Sequence, residues 1–262
     1  MKYVVNNYPD GTEYVKVIEF SDSLIFRINS YADLWKLREI KDVCDHNKQE
    51  VHLTIPCLLD AQADRRFNHD ESSGLKLVCE FINSMKFKSV TLFHPHNPEV
   101  VEALLDNVLI VDNSLFINRV LSEIGTENTI LFSSDAGGFK PLMKLADKIQ
   151  WEGEVYGASK SRKYVNGKSQ LIQEIDKQDF DGKDILIIDD LCVFGGTFIG
   201  LSKMLKSRNC GKLYLAVTHM TVSNPNPELF TSFDQVFTTN TKGIDYPDTY
   251  YSLSIIPVVH DA

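Results

Sequence analysis

Residues Asp184 to Thr197 read DILIIDDLCVFGGT, and this stretch decides the fold. Four apolar residues in a row, 185–188, predict a strand that is buried on both faces. Asp189 and Asp190 come at the carboxyl end of that strand, and residues 195–197 form a Gly-Gly-Thr turn before a predicted helix. Ligands bind at the carboxyl ends of parallel strands, and anions bind at helix N-termini, so the pattern predicts a ligand site.

The chemistry of this predicted site follows from its two parts. The two carboxylates could hold ribose hydroxyls or a hydrated metal ion, while the turn could hold a phosphate on its free backbone N–H groups. The alternative is an ordinary corner between a strand and a helix. The residues of the predicted turn that would bind the sugar phosphate are Phe194, Gly195, Gly196 and Thr197.

Short apolar runs alternate with helical patterns along the whole chain. The predicted strands are residues 15–20, 24–28, 51–55, 89–93, 108–111, 129–133, 155–158, 184–188, 212–218, 235–238 and 251–255. The predicted helices are residues 34–44, 73–85, 98–105, 115–123, 139–149, 198–208 and 227–232. Such alternation predicts an α/β protein with mainly parallel sheets flanked by helices. A polar stretch around Gly125 predicts a boundary between two domains, 1–124 and 125–262.

Composition narrows the class of protein. The chain has 262 residues, 43% of them hydrophobic, and a formal net charge of −9, which argues against non-specific binding to nucleic acid or to acidic membranes. Five scattered cysteines with no C-x-x-C pair indicate reduced thiols in a cytoplasmic protein. We expect neither a signal peptide nor a membrane span.

A second loop has the same pattern as the first, a carboxylate near the end of a predicted strand followed by glycines before a predicted helix. Residues 133–138 read SSDAGG after a predicted strand and before a predicted helix, so Asp135 could bind Mg²⁺ while the glycines expose N–H groups to phosphate oxygens. A plain turn is the alternative. Further on, residues 160–163 read KSRK, which is either a solvated loop or a source of positive charge for a transferring phosphoryl group.

These loops resemble those of the ribose-phosphate pyrophosphokinases, and the first resembles the phosphoribosyl pyrophosphate loop that these enzymes share with type I phosphoribosyltransferases. Val193 stands where the family usually has an acidic residue, and Phe194 stands where it has Thr. The second loop resembles the Ser-Pro-Asp-x-Gly-Gly motif, with Ser134 in place of Pro. Lys160 and Arg162 match the Lys-x-Arg catalytic flap, so the resemblance implies that they are the catalytic residues.

The first half of the chain resembles the ATP side of the same family. Residues 55–65 resemble the segment that grips ATP, in which Asp64 and Arg65 match while Gln62 and Ala63 do not. His96 is in register with a His that helps bind the metal–ATP complex; surface histidines without a metal, or a zinc site with His94, are the alternatives.

Two further segments extend the resemblance over residues 8–241. The turn of residues 8–11, YPDG, is similar to a family turn and makes Asp10 a predicted ATP contact, although it is also a plain tight-turn signal. Residues 217–219 and 238–241 mirror the family's Thr-His and Thr-Asn-Thr segments.

The resemblance implies a Mg²⁺-dependent transfer of the β,γ-pyrophosphoryl group of ATP to the anomeric hydroxyl of a ribose 5-phosphate moiety. Phe194 adds an aromatic face, and the chain also looks like the divergent branch that makes ADP-ribose pyrophosphate, so we expect ADP-ribose as acceptor, with ribose 5-phosphate as the alternative. A phosphoribosyltransferase and a non-catalytic regulatory relative are rival hypotheses. The resemblance further implies a homo-oligomer.

Overall fold

The computed structural model describes residues 1–66, 68–165, 168–221, 226–244 and 250–253, and it describes only the backbone at 160–165, 168–173 and 250–253. The chain forms two compact units. Unit 1 contains Met1–Asp112 and Thr241–Gly243, and unit 2 contains Asn113–Asn240 and the described residues 244 and 250–253.

Unit 1 combines a hairpin with a small parallel sheet. Its elements are β1 (Lys2–Asn7), β2 (Glu13–Glu19), β3 (Ser23–Ile25), α1 (Tyr31–His46), β4 (His52–Ile55), α2 (Gly74–Ser84), β5 (Ser89–Phe93), α3 (Pro98–Leu104) and β6 (Val108–Val111). Strands β3, β4, β5 and β6 pair in that order, all parallel, while β1 and β2 pair antiparallel.

Helix α2 shows how the sequence builds the core of unit 1. Leu75, Val78, Cys79 and Ile82 recur at the spacing of one helix face, and all four are buried in the hydrophobic cluster of this unit. Helix α1 begins at a capping box in which the Ser30 side chain accepts from the backbone of the third helical residue. Local sequence therefore specifies both where helices start and which face they bury.

Unit 2 contains the larger sheet. Its elements are α4 (Ser114–Ile124), β7 (Thr129–Ser133), α5 (Ala136–Lys148), β8 (Val155–Gly157), β9 (Ser159–Val165), β10 (Lys168–Glu174), β11 (Asp184–Cys192), α6 (Gly196–Lys206), β12 (Leu213–Met220), α7 (Glu228–Ser232), β13 (Gln235–Thr239) and β14 (Tyr250–Leu253). The sheet has the order β14-β13-β12-β11-β7-β8 with every pair parallel, and β9 pairs antiparallel with β10.

Strand β11 lies inside this sheet and is covered on both faces. Ile185 and Ile187 belong to one hydrophobic cluster with Leu201 of α6, whereas Leu186 belongs to a second cluster with Phe116 of α4. The run of apolar residues is thus a strand buried on both faces, as the sequence predicts. The expected fold class, parallel sheets flanked by helices, is confirmed.

The division between the units falls between Asp112 and Asn113, before α4 rather than after it. The sequence prediction assigned this helix to residues 1–124. Phe116, Ile117 and Val120 of α4 are fully buried against residues of β7, β11 and β12, which explains why the helix belongs to unit 2.

Three strands are absent from the sequence prediction. Strand β1 precedes the first predicted strand, and β9 and β10 form a hairpin rich in Lys, Ser and Gln that lacks a buried apolar face in its sequence. Strand β11 also continues to Cys192, four residues beyond its predicted end at Ile188. All five cysteines are thiols rather than disulfides. None of the helices in the described ranges has the length and apolar character of a membrane span.

Candidate functional site

The site in unit 2 lies where the strand order reverses. From β7 the chain runs to β8 on one side of the sheet and then to β11 on the other, so β7 and β11 flank a topological switch point. Ser133, the last residue of β7, pairs with Ile188 of β11. The loop after β7 and the Asp189–Asp190 pair therefore meet at one edge of the sheet, where ligands of open α/β sheets bind.

Asp189 is held by donors from two directions. Its Oδ1 accepts from the backbone N–H of Asp190 at 2.8 Å, and its Oδ2 accepts from the hydroxyl of Ser134. Ser134 is almost completely buried, with 2% of its surface exposed. The carboxylate thus has a defined orientation rather than the freedom of a surface side chain.

The environment of Asp189 disfavours its charged form. Burial first, and then the hydrogen bond and negative charge of Asp190, raise the pKa of Asp189 to about 7, while the donors on Ser134 and Asp190 act in the opposite direction. Two adjacent carboxylates that repel each other are suited to a metal ion, which neutralises their charge, or to sugar hydroxyls, which donate hydrogen bonds to them.

Asp135 is the N-cap of α5. Its Oδ1 accepts from the backbone N–H of Gly138 at 2.9 Å, which satisfies one of the free donors at the helix start. A side chain at position 138 would bring its Cβ within 2.8 Å of Ser133 Oγ, so the loop requires a glycine there. The structure therefore gives Asp135 a structural role beside the predicted role in metal binding.

The Gly-Gly-Thr turn has the backbone that an anion site needs. Gly195 adopts φ +80°, and a Cβ there would lie 2.9 Å from Leu229 of α7, so only glycine fits without a shift. Gly196 and Thr197 begin α6, and no side chain caps this helix start. Phe194, immediately before the turn, is 70% exposed.

The predicted catalytic pair lies on the hairpin of β9 and β10. In the backbone register, Lys160 pairs with Gln173 and Arg162 pairs with Leu171. Positions 160 and 162 share one face of β9, because residues two apart in a strand do so. The side chains of both residues lie outside the described part of the structure.

In unit 1, Asp64 anchors the predicted ATP loop. Its side chain is 4% exposed and accepts from Arg65 Nε at 3.0 Å and from Asn97 Nδ2 at 2.8 Å. Burial alone would raise the pKa of Asp64, but these hydrogen bonds and the charges of Arg65 and His96 outweigh it, so the pKa is lowered. Arg65 and His96 themselves are exposed.

Asp10 lies in the turn between β1 and β2. Its Oδ1 accepts from the backbone N–H of Thr12 at 2.9 Å, and this bond lowers its pKa. Gly11 has φ +88°, and its N–H donates to the carbonyl of Tyr8 at 2.9 Å. The structure thus shows Asp10 as a turn residue, and an ATP contact from it remains a prediction.

Two residues of the site carry roles that the sequence analysis did not assign. Ser134 was noted only as a departure from Pro, yet its hydroxyl reaches Asp189. Asn97 holds Asp64 and also caps α3, where its Oδ1 accepts from Val100 N–H at 3.3 Å. The sequence signal for the cap was Asn followed by Pro98, a combination typical of helix starts.

Among the residues that the structure describes, no group of three or more His, Cys, Asp or Glu side chains is arranged to hold a metal ion. Mg²⁺ usually keeps several waters and is bound through one or two carboxylates together with substrate phosphates. The oxygen donors of Asp135, Asp189 and Asp190 have the chemistry that this ion prefers.

A family model described as the phosphoribosyl transferase domain matches residues 100–250, and the chain belongs to this family. The match covers β7, α5, β11 and α6, which carry both loops of the site in unit 2. The fold of this unit is thus that of a phosphoribosyl transferase domain.

The more particular likeness is to ribose-phosphate pyrophosphokinases. The protein of that name from Saccharolobus solfataricus is 24% identical over 220 residues, which is 81% of this chain and 74% of the relative. The one from Methanosarcina acetivorans is 22% identical over 265 residues, covering 98% of this chain and 88% of the relative. The crystal structure of phosphoribosylpyrophosphate synthetase from Mycobacterium smegmatis has the same fold, with a TM-score of 0.79 at 18% identity over 97% of this chain and 86% of that one. The resemblance inferred from the sequence is confirmed.

The raised pKa of Asp189 predicts a pH-dependent cost in stability. When a carboxyl group has a higher pKa in the folded state than in the unfolded state, the folded protein becomes less stable as pH rises through the range between the two pKa values. For Asp189 this range runs from the ordinary pKa near 3.8 to about 7. Asp189→Asn removes this cost because the amide stays neutral. Without metal or ligand, we expect the variant to melt roughly 2–6 °C above the wild type at pH 8, a gain of about 1–2 kcal/mol.

Thermal melts between pH 4.5 and 8.5 measure this effect. The gain should shrink towards pH 4.5, and the exposed helix residue Asp42 gives a control, Asp42→Asn, for which we expect no such trend. A pH-independent difference between Asp189→Asn and the wild type would contradict the prediction.

Proposed function

We propose that the protein is a ribose-phosphate pyrophosphokinase that transfers the β,γ-pyrophosphoryl group of MgATP to the anomeric hydroxyl of a ribose 5-phosphate moiety. The observation that carries the proposal is the half-buried Asp189–Asp190 pair, followed by an uncapped glycine turn, at the switch point of the larger sheet. The names of the relatives, and their coverage of nearly the whole chain, support the same activity.

The acceptor side is proposed for unit 2. Asp189 and Asp190 would receive the ribose hydroxyls, because carboxylates accept hydrogen bonds from vicinal hydroxyls. The backbone N–H groups at Gly195 and Gly196, with the Thr197 hydroxyl, would bind the phosphate at the positive end of α6.

The donor side is proposed for unit 1. Arg65 is an exposed cation whose Nε is held by the buried Asp64 carboxylate, so its guanidinium has a defined position from which to bind phosphate oxygens. His96, close enough for its charge to affect Asp64, would contact the metal–ATP complex, and Asp10 would add a contact from the hairpin turn.

Mg²⁺ is proposed to arrive with ATP, and Asp135 in unit 2 and His96 in unit 1 are each proposed as contacts of the metal. The hard oxygen of Asp135 fits this ion better than it fits a softer metal. When bound, the ion supplies positive charge that neutralises the polyphosphate.

The proposed transfer forms a bond between the anomeric oxygen and the β-phosphorus, breaks the bond from that phosphorus to the oxygen that leaves with AMP, and releases the proton of the anomeric hydroxyl. Lys160 and Arg162 would stabilise the negative charge of the transferring group, because phosphoryl transfer depends more on positioned charge than on covalent catalysis. The five cysteine thiols fit the proposed cytoplasmic location. Association of several copies of the chain is also proposed.

Removal of either cation should abolish most turnover. We expect Lys160→Ala and Arg162→Ala to lower kcat on the order of 10²-fold or more, as loss of a preorganised charge contact does. The fold should persist, because β9 and β10 pair only with each other in the described sheets. The measurement is AMP formation from ATP in the presence of Mg²⁺ and an acceptor.

The same assay of AMP formation includes a control variant and separates the rival functions. Lys163→Ala changes a neighbouring cation at a position on the other face of β9, and we expect it to retain activity. Full activity in both variants would contradict the proposed roles of Lys160 and Arg162. A wild-type protein that makes no AMP with any acceptor would instead favour a phosphoribosyltransferase or a non-catalytic relative.

Asp135→Asn separates metal binding from helix capping. Asparagine caps helices as well as aspartate does, so α5 should keep its start, while the negative charge is lost. We expect the Mg²⁺ concentration for half-maximal activity to rise by about tenfold, measured as AMP formation against free Mg²⁺ at fixed ATP.

The exposed residue Asp147 of the same helix gives a control variant, Asp147→Asn, which should keep the wild-type Mg²⁺ curve. An unchanged curve for Asp135→Asn would leave this residue only its role as a cap. Unchanged AMP production in EDTA would reject the Mg²⁺ assignment itself.

ADP-ribose is proposed as the acceptor that this chain prefers, with ribose 5-phosphate as the alternative. Phe194 is 70% exposed directly before the phosphate-binding turn, where an aromatic face is available to stack on a base. The phosphate of ADP-ribose is a diester with less charge than a terminal phosphate, so it needs fewer donors than the family's Thr-containing loop supplies.

Restoring the family residues tests this preference. In the variant Val193→Asp with Phe194→Thr, we expect kcat/KM for ADP-ribose to fall roughly tenfold to a hundredfold, because stacking on an aromatic side chain is worth about 1–3 kcal/mol per base. Activity with ribose 5-phosphate should stay or improve. The exposed Phe20 of unit 1 gives a control, Phe20→Thr; equal losses on both acceptors in the double variant would mean that Phe194 only packs the loop.

A further inference from the structure

Ser134 occupies a position that the strand pairing itself creates. Ser133, the last residue of β7, pairs with Ile188 of β11, so Ser134 just after β7 and Asp189 within β11 come next at the same edge of this pairing. Ser134 is 2% exposed, and its hydroxyl donates to Asp189 Oδ2. Water therefore has little access to this hydrogen bond, and the hydroxyl is committed to the carboxylate.

The loop that presents this hydroxyl is fixed on both sides. The Ser133 hydroxyl donates to the backbone carbonyl of Asp135 at 2.7 Å, and Asp135 Oδ1 accepts from Gly138 N–H at 2.9 Å. These bonds hold the backbone around Ser134, so little side-chain entropy is lost when its hydroxyl meets Asp189. The loop that carries Asp135 is thereby connected directly to the carboxylate pair on β11.

The hydrogen bond also matters for the orientation of Asp189. Its second oxygen accepts from the Asp190 N–H at 2.8 Å, so each carboxylate oxygen has a donor from a different strand end. Asp190 carries a like charge directly beside it, which would favour rotation of the two groups away from each other. Proline, the residue of the similar motif, has no donor group and could not supply this contact.

We propose that Ser134 is a positioning residue that fixes the Asp189 carboxylate for the ribose hydroxyls of the acceptor. This inference rests on the proposed function, because it requires a ribose phosphate at the switch point. Ser134 acts through Asp189 and does not contact the transferring group. Its effect therefore belongs to binding of the sugar rather than to binding of ATP.

The experiment compares Ser134→Ala with the wild type and with Ser202→Ala. Ser202 is an equally buried serine of unit 2 whose hydroxyl donates to the Ile199 carbonyl within α6, so its loss controls for removing a buried hydroxyl. Ribose 5-phosphate is titrated into each protein by calorimetry in the absence of ATP, and KM is measured separately for ribose 5-phosphate and for ATP. Thermal melts verify that each variant folds.

We expect Ser134→Ala to weaken ribose 5-phosphate binding and raise its KM by roughly tenfold or more, the range for hydrogen bonds to charged groups. The KM for ATP should stay at the wild-type value, and Ser202→Ala should match the wild type in both. Unchanged ribose 5-phosphate affinity in Ser134→Ala, or an equal rise of both KM values, overturns the inference while the proposed function stands. A wild-type protein that binds neither ribose 5-phosphate nor ADP-ribose, and forms no AMP with either, overturns the proposed function, and the inference falls with it.

Discussion

Two like charges on β11, directly after its last pair with β7, are the constraint on which unit 2 depends. Asp189 and Asp190 repel each other, and burial makes the charge of Asp189 still more costly. The fold offsets this cost with two donors, one from the β11 backbone and one from Ser134 on the neighbouring strand end. The β7–β11 pairing places the Ser134 hydroxyl next to Asp189, so the order of the strands determines which donor reaches this carboxylate.

The sequence was sufficient wherever a feature depends on neighbouring residues. The residues of the run before Asp189 are all apolar, so both faces of this segment favour burial, and the run predicts a buried strand. The buried apolar residues of α2 predict a helix because their spacing matches one helix face. Asp135 and Asp189 could be assigned to strand ends for the same reason. The class of fold and the two loops of the site followed from these local patterns.

Features that depend on distant residues could not be predicted. The bond between Ser134 and Asp189 joins residues 55 positions apart, and the bond between Asn97 and Asp64 joins residues 33 positions apart, so each requires a strand register that no local pattern contains. The polar strands β9 and β10 lack the apolar alternation by which strands are recognised. The polar stretch around Gly125 predicts a boundary after α4, although the apolar face of this helix decides where it packs.

The membership of α4 in unit 2 bears on how this protein could be divided into fragments. A shortened chain that began at Gly125 would lack Phe116, Ile117 and Val120, and the sheet residues Leu186 and Leu131 would lose the helix that covers them. Such a fragment would expose a broad apolar surface and would be prone to self-association. A fragment that began at Asn113 would retain α4 over these sheet residues. Expression and labelling experiments should therefore divide the chain after Asp112.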